Sequence, residues 1–162
     1  MVETIVGKRG RGKTSLVAEI LVRQEWDQIF IFDYCGEFGD FAIPGFCYVE
    51  TDGFREFCHA VWNNSRQGVE TLLVLDEVAM YGKYNYLVEH IYRLGRHKQI
   101  QIVATAQRPA ILPVIVRSQT DLWYFFSVSE PADIDYVSKV VPKEDLEVIV
   151  GLERFQYLKK PI

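Results

Sequence analysis

Residues 7–14 read Gly7-Lys8-Arg9-Gly10-Arg11-Gly12-Lys13-Thr14 and follow the short apolar run Thr4-Ile5-Val6. The spacing is glycine, four residues, then Gly-Lys-Thr, the pattern of a phosphate-binding loop between a strand and a helix. The physical logic is local. Glycines allow consecutive backbone N–H groups to turn inward as an anion-binding nest. A helix starting near Lys13 adds the positive end of its dipole to the same point. Lys13 would reach the β- and γ-phosphates, and the Thr14 hydroxyl would ligate Mg2+. Ser15 carries the loop into the helix. Arg9 and Arg11 add charge, either as phosphate contacts or as solvated side chains. At ordinary residue usage a chance match somewhere in 162 residues is roughly half a percent.

Outward from this loop, short apolar runs alternate with longer mixed segments. Strands are expected at Thr4–Val6, Gln28–Asp33, Phe46–Glu50, Thr71–Leu75, Ile100–Ala104 and Leu122–Val128, with a last short one at Phe155–Leu158. Helices are expected at Lys13–Gln24, Phe54–Asn63 (capped by Thr51 or Asp52), Tyr86–His97 and Ala132–Val140. Continuously apolar strands separated by helices mean a sheet covered on both faces, an α/β layered architecture with mostly parallel strands. The chain reads as one domain over residues 1–162, without repeats or linkers.

Composition fits that size. Apolar residues make up 49% and charged residues 25%, a globular mix that excludes wholesale disorder. The formal charge is −4, so the chain is not a general polyanion binder. The charge is uneven, however. Residues 19–60 hold nine acids and two bases, whereas residues 90–120 hold five bases (Arg93, Arg96, Lys98, Arg108, Arg117) and no acid. That second stretch suits an anionic partner, or is simply a solvated face. Three cysteines without a close pair, Cys35, Cys47 and Cys58, argue against a disulfide framework or zinc ribbon and fit a reducing, cytoplasmic setting. No signal peptide and no membrane-length apolar run is expected. His59, His90 and His97 lack metal-like spacing.

In such sheets ligands sit beyond the carboxyl ends of the strands, so the residues after each strand carry the chemistry. The run Thr71–Leu75 ends in Asp76-Glu77. Asp76 would complete a Mg2+ site, and Glu77 would orient or deprotonate an attacking water. A water-activating acid suits hydrolysis better than phosphate transfer to a bound small molecule, which must exclude water. After Ile100–Ala104, Gln107 is the first candidate to sense the γ-phosphate and Thr105 the second. Asp33 and Glu37 follow the second strand and share the same edge.

Four elements fall in order: Gly7–Thr14, Asp33-Tyr34-Cys35-Gly36-Glu37, Leu72–Glu77, and Arg93-Leu94-Gly95-Arg96 followed by Ala104-Thr105-Ala106-Gln107-Arg108-Pro109. In this the chain resembles the HerA/FtsK superfamily of ring-forming, DNA-pumping ATPases, including the small packaging ATPases of membrane-containing viruses. The resemblance spans roughly residues 2–128. It implies a P-loop NTPase fold of the RecA/ASCE-like kind, a three-layer sandwich in which the sensor strand lies between the phosphate-loop strand and the Asp-Glu strand. It implies ATP and Mg2+ as cofactors, a homo-oligomeric (hexameric) ring, double-stranded DNA in the pore, and a capsid or membrane vertex protein as anchor. The setting would be host cytoplasm or the virion. By position the catalytic Glu falls on Glu77, the sensor on Gln107, and the arginine that acts on the neighbour's ATP on Arg96. Arg93, Arg108 and Arg117 are alternatives, and a helix-terminal cation is the plainer reading of Arg96. Such an arginine would neutralise charge on the transferring phosphoryl group. Against the cellular members, which carry extra domains, only the motor core is expected here.

The segment Tyr81-Gly82-Lys83-Tyr84-Asn85-Tyr86 combines a cation, a glycine and aromatics. Lys83 and Tyr84 are its DNA-contact candidates, since non-specific grip is mainly phosphate charge; packing at a subunit interface is the alternative. Two other functions compete. One is a P-loop kinase with Arg93, Arg96 and Arg108 as lid arginines. The other is a non-catalytic nucleotide-binding assembly protein. GTP is disfavoured, because no Asn/Thr-Lys-x-Asp element occurs.

Overall fold

The computed structural model describes residues 1–39, 46–47 and 53–161. Seven strands form one sheet in the order β3-β2-β4-β5-β1-β6-β7. They are β1 (Val2–Val6), β2 (Gln28–Phe32), β3 (Phe46–Cys47), β4 (Thr71–Leu75), β5 (Ile100–Ala106), β6 (Leu122–Phe125) and β7 (Leu158–Pro161). All neighbours pair parallel except β7, which runs antiparallel to β6. The helices are α1 (Lys13–Val22), α2 (Phe54–Asn64), α3 (Asn85–Leu94), α4 (Val114–Gln119), α5 (Pro131–Ser138) and α6 (Lys143–Gly151).

The apolar strands divide their side chains between two cores by the two-residue pleat. Ile29, Ile31, Leu72, Val74, Val103 and Tyr124 pack against Leu16, Val17 and Ile20 of α1. The alternate positions Phe30, Leu73, Leu75, Ile102, Ala104, Trp123 and Phe125 pack against α2 to α6 through Phe57, Val88, Ile91, Val116, Val137 and Ile149. This is the expected three-layer arrangement, and β5 lies between β1 and β4 as the resemblance implied.

A buried carboxylate also sits in the α1 layer. Glu3 of β1 is 1% exposed. Its carboxylate accepts from both terminal nitrogens of Arg23, the residue that caps α1, and from Tyr124 Oη at 2.8 Å. The clamp fixes the far end of the helix that the phosphate loop begins.

Several boundaries differ from the sequence expectation. Ladder pairing of β6 stops at Phe125, although Phe126 and Val128 stay buried. Phe126 N still donates to Val6 O at 2.8 Å, and the chain then crosses directly over Gly7. The helix expected over Tyr86–His97 ends at Leu94 and tightens into a 3-10 turn, Gly95–Lys98, before Gln99 takes a left-handed φ of 55°. The last strand begins at Leu158 rather than Phe155, because Phe155 has a φ of 67° and cannot continue an extended chain. Helices α4 and α6 were not anticipated. Gly53 occupies the N-cap position of α2; Thr51 and Asp52, the expected caps, and residues 48–50 of the expected third strand lie outside the described residues.

Candidate functional site

The carboxyl ends of β1, β4 and β5 converge on a cleft of about 450 Å3. Arg9, Gly10, Gly12, Lys13, Thr14, Ser15, Glu37, Asp76, Glu77 and Gln107 all border it, so residues distant in sequence meet at one edge. Gly7 and Gly12 show why glycine stands where it does. A Cβ at Gly7 would lie 2.5 Å from Phe126 Cβ. Gly12 has a φ of 113°, and a Cβ there would lie 2.6 Å from Phe155 Cδ1. Of the remaining loop residues, Lys8 pairs with Glu130 at 3.3 Å and Arg11 is half-buried.

Lys13 is buried and folds back over its own loop. Its Nζ donates to Gly7 O at 2.9 Å and lies 3.7 Å from Glu77 Oε1. Thr14 Oγ1 donates to Glu37 Oε2 at 2.6 Å. Asp33 does not border the cleft. Its carboxylate accepts the backbone N–H of Glu37 at 3.0 Å and of Phe38 at 2.9 Å, and so holds the turn that brings Glu37 to Thr14.

The two acids after β4 are held by one hydroxyl. Thr105, in β5, donates from Oγ1 to Asp76 Oδ1 at 2.7 Å and accepts from Glu77 N at 2.9 Å. The register that pairs Leu75 with Ala104 sets this geometry. Asp76 also accepts from Cys35 N at 3.2 Å, and its backbone carbonyl accepts from Tyr81 Oη. Glu77 sits in the left-handed region, φ 50° and ψ 50°, which a non-glycine residue enters at a cost of about 1–2 kcal/mol. Its Oε2 accepts from Gln107 N at 3.2 Å. Thr105 therefore braces both acids, while Gln107 is exposed at the cleft and its backbone steers Glu77.

Burial raises the Asp76 carboxyl above the usual carboxylate range, and the Thr105 bond opposes that shift. A buried carboxylate in this position gains from a cation. The nearby donors, Thr14 Oγ1, Asp76 and Glu37, are all oxygens, the ligand set of a hard divalent ion that keeps waters and phosphate oxygens in its shell. Among the described residues no group of three or more His, Cys, Asp or Glu forms an all-protein metal cage.

The arginines separate clearly. Arg93 and Arg96 precede β5, so they lie at the sheet edge opposite the cleft. Arg93 pairs with Glu89 at 3.8 Å, and Arg96 is exposed. Arg108 donates through Nε to the buried Asp133 at 3.2 Å, and Arg117 lies over the Tyr136 ring at 5.3 Å. The aromatic segment after β4 is mostly structural. Tyr81 is buried and stacks on Phe54 at 4.2 Å; Tyr84 is half-buried beside the same ring. Lys83 is exposed, 4.8 Å over the Tyr84 ring. Sequence reasoning missed two contributors to the cleft, Arg154 and Phe155, which line it from just before β7.

No family model and no curated protein matches this sequence. Solved structures do match. The genome packaging NTPase B204 from Sulfolobus turreted icosahedral virus 2, in complex with ATP-gammaS, aligns at a TM-score of 0.83 with 22% identity, over 99% of this chain and 91% of that one. B204, the DNA-packaging ATPase from Sulfolobus turreted icosahedral virus, gives 0.76 and 19% over 99% and 92%. The N-terminal domain of zonular occludens toxin from Neisseria meningitidis gives 0.58 and 16% over 79% and 77%. The fold is that of a P-loop NTPase. Among the described residues no helix is long and apolar enough to cross a membrane.

Proposed function

We propose that this chain is an ATPase of the HerA/FtsK type that moves double-stranded DNA through a homo-oligomeric ring, in the manner of a genome-packaging motor. One observation carries the reading: Lys13, Thr14, Asp76, Glu77 and Gln107 meet in a single cleft, with Glu77 held in a strained conformation against Gln107. The likeness to viral packaging NTPases, solved with ATP-gammaS and with AMPPCP, supports it.

In this reading the loop Gly7–Ser15 cradles the phosphates, and Lys13 turns from Gly7 O toward them. Thr14 and Asp76 would hold Mg2+, which supplies charge neutralisation for the transferring phosphoryl group. Glu77 accepts a proton from the attacking water. Gln107 orients that water. Arg96 lies at the opposite sheet edge from its own cleft, which suits a role on a neighbouring subunit's ATP. Lys83 is the exposed cation available for backbone phosphates, and Tyr84 supports it. The ring would be hexameric, anchored by a capsid or membrane vertex protein, in host cytoplasm or on the virion.

The kinase alternative needs Arg93, Arg96 and Arg108 as a lid. Two of these lie at the wrong edge, and the third is engaged by Asp133. The non-catalytic alternative leaves the strained Glu77 unexplained. The test is ATP turnover per chain against protein concentration, with linear duplex DNA. A rate that climbs with concentration is expected, because sites are completed between subunits. Glu77→Gln should keep ATP binding and lose turnover, and Arg96→Ala should be rescued in mixed rings that also contain Glu77→Gln subunits. A rate that stays flat and near zero, or an absence of rescue, would argue against the motor and the trans arginine.

A further inference from the structure

The residues that close the phosphate loop from outside come from more than 140 positions downstream. Arg154 Nε donates to Gly10 O at 3.0 Å, and Phe155 N donates to Arg11 O at 2.9 Å. Two consecutive loop carbonyls are thereby turned outward. Because each peptide unit is planar and trans, the N–H groups of Arg11 and Gly12 point the opposite way, into the loop. The outer segment thus sets the orientation of the donors that a phosphate would meet.

Phe155 is unusual in three respects. It is 57% exposed although it is a large aromatic. It holds a left-handed φ of 67°, which a bulky side chain adopts only when its surroundings impose it. It also borders the cleft, where the Arg154 guanidinium covers the ring at 4.7 Å from its centroid and Gly12 leaves room for its edge. The strand order gives its place along a bound nucleotide. Glu77 follows β4, on one side of β1, whereas Phe155 precedes β7, on the other. With the γ-phosphate at Glu77, the far end of the molecule falls on the Phe155 side.

We infer that Arg154 and Phe155 build the base end of the nucleotide site, the Phe155 ring being the surface on which the nucleobase stacks. Arg154 is a positioning residue: it holds ring and phosphate loop at a fixed spacing. The inference rests on the ATPase reading and names the residues that read the base end of the same substrate.

Inorganic tripolyphosphate, which has phosphates and no base, separates the roles. Calorimetric titration of the full chain with ATP and with tripolyphosphate would be run on wild type, Phe155→Ala, Phe155→Tyr, Arg154→Ala and Arg154→Lys. Phe155→Ala should bind ATP about tenfold more weakly, the loss of one base–aromatic stack, with tripolyphosphate unchanged. Phe155→Tyr, which keeps the ring, should match wild type for both ligands. Arg154→Ala should weaken both, and Arg154→Lys, which keeps a donor, should restore tripolyphosphate binding. If Phe155→Ala leaves ATP affinity unchanged, or weakens both ligands equally, the base-stacking role is overturned. Undiminished tripolyphosphate binding in Arg154→Ala overturns the positioning role. A wild-type chain that binds neither ligand overturns the nucleotide site itself along with this inference.

Discussion

Replacing Thr105 by Val tests whether one hydroxyl holds the two acids in place. Valine has nearly the same shape, so packing is preserved while both hydrogen bonds are lost. Thr105 is 1% exposed, and Asp76 and Glu77 are also buried, so both bonds lie largely out of solvent. The bond to the Asp76 carboxylate is charge-assisted, and Glu77 N–H would be left buried without its partner. Together these losses amount to about 3 kcal/mol. For a domain of this size that corresponds to roughly 6–12 °C in Tm. The Asp76 carboxyl would move further above its ordinary range, because the Thr105 bond is the largest influence pulling it down. Freed from its brace, Glu77 can relax out of the left-handed region, which costs about 1–2 kcal/mol to occupy. Turnover should fall at least tenfold while ATP affinity stays near wild type, since the Thr105 hydroxyl bonds the two acids and not the phosphate loop. Thr105→Ser, which keeps the hydroxyl, should retain turnover. Thermal melting and steady-state ATP hydrolysis measure both quantities. A Thr105→Val protein with wild-type turnover would refute the bracing role, whatever its Tm.

Three further outcomes are expected. Arg23→Ala strands the Glu3 carboxylate in the α1 layer with only the Tyr124 hydroxyl, at a cost of about 3 kcal/mol, read as a lower denaturation midpoint; replacing both partners, Glu3→Leu with Arg23→Met, should recover most of it. Gly12→Ala combines an unfavourable φ of 113° with a Cβ only 2.6 Å from Phe155, so equilibrium titration should find ATP binding weakened tenfold or more, with the fold retained by circular dichroism. The Cys35 thiol is pushed up to about 11, first by partial burial and then by the charges of Asp76 and Glu77. Thiolate carries the reactivity, so labelling should stay slow at pH 8 and accelerate as pH approaches 11. Glu77→Gln removes one repelling charge and should move that rise to lower pH.

The parts of the site that are contiguous in the chain were legible from sequence. Gly7–Thr14 carries its own spacing, and Asp76-Glu77 stands directly after an unbroken apolar strand. The sheet's class followed from the same runs, because a strand buried on both faces has no polar alternation. What lay beyond reading depended on register or on long-range meeting. Thr105 looked like a second choice for a sensor, and only the pairing of β4 with β5 reveals it as the brace of both acids. Tyr81 looked like a loop aromatic, but its hydroxyl reaches the Asp76 carbonyl and its ring stacks on Phe54. Arg154 and Phe155 carry no local motif, and their proximity to Gly10 and Gly12 exists only once β7 has turned back along β6. Helix α4 was missed for a different reason. It is six residues long and begins Val-Ile-Val, which favours strand over helix by propensity. Helix α6 did offer signals, with Pro142 before it and Glu144 and Asp145 in its first turn.

The strand order also has a consequence for how the molecule comes into being on the ribosome. Strand β1 emerges before the other six strands of the sheet, yet its neighbours β5 and β6 lie about 100 and 120 residues later. The phosphate loop hangs between an early strand and partners that do not yet exist for most of synthesis. Parallel pairings at such separation form slowly, because the loop-closure entropy precedes the reward. A nascent chain truncated before residue 100 therefore has no seat for β1, and nucleotide cannot rescue it. The loop gains its remaining strand partner only when β6 has been made, and its last two carbonyl partners only when Arg154 and Phe155 dock.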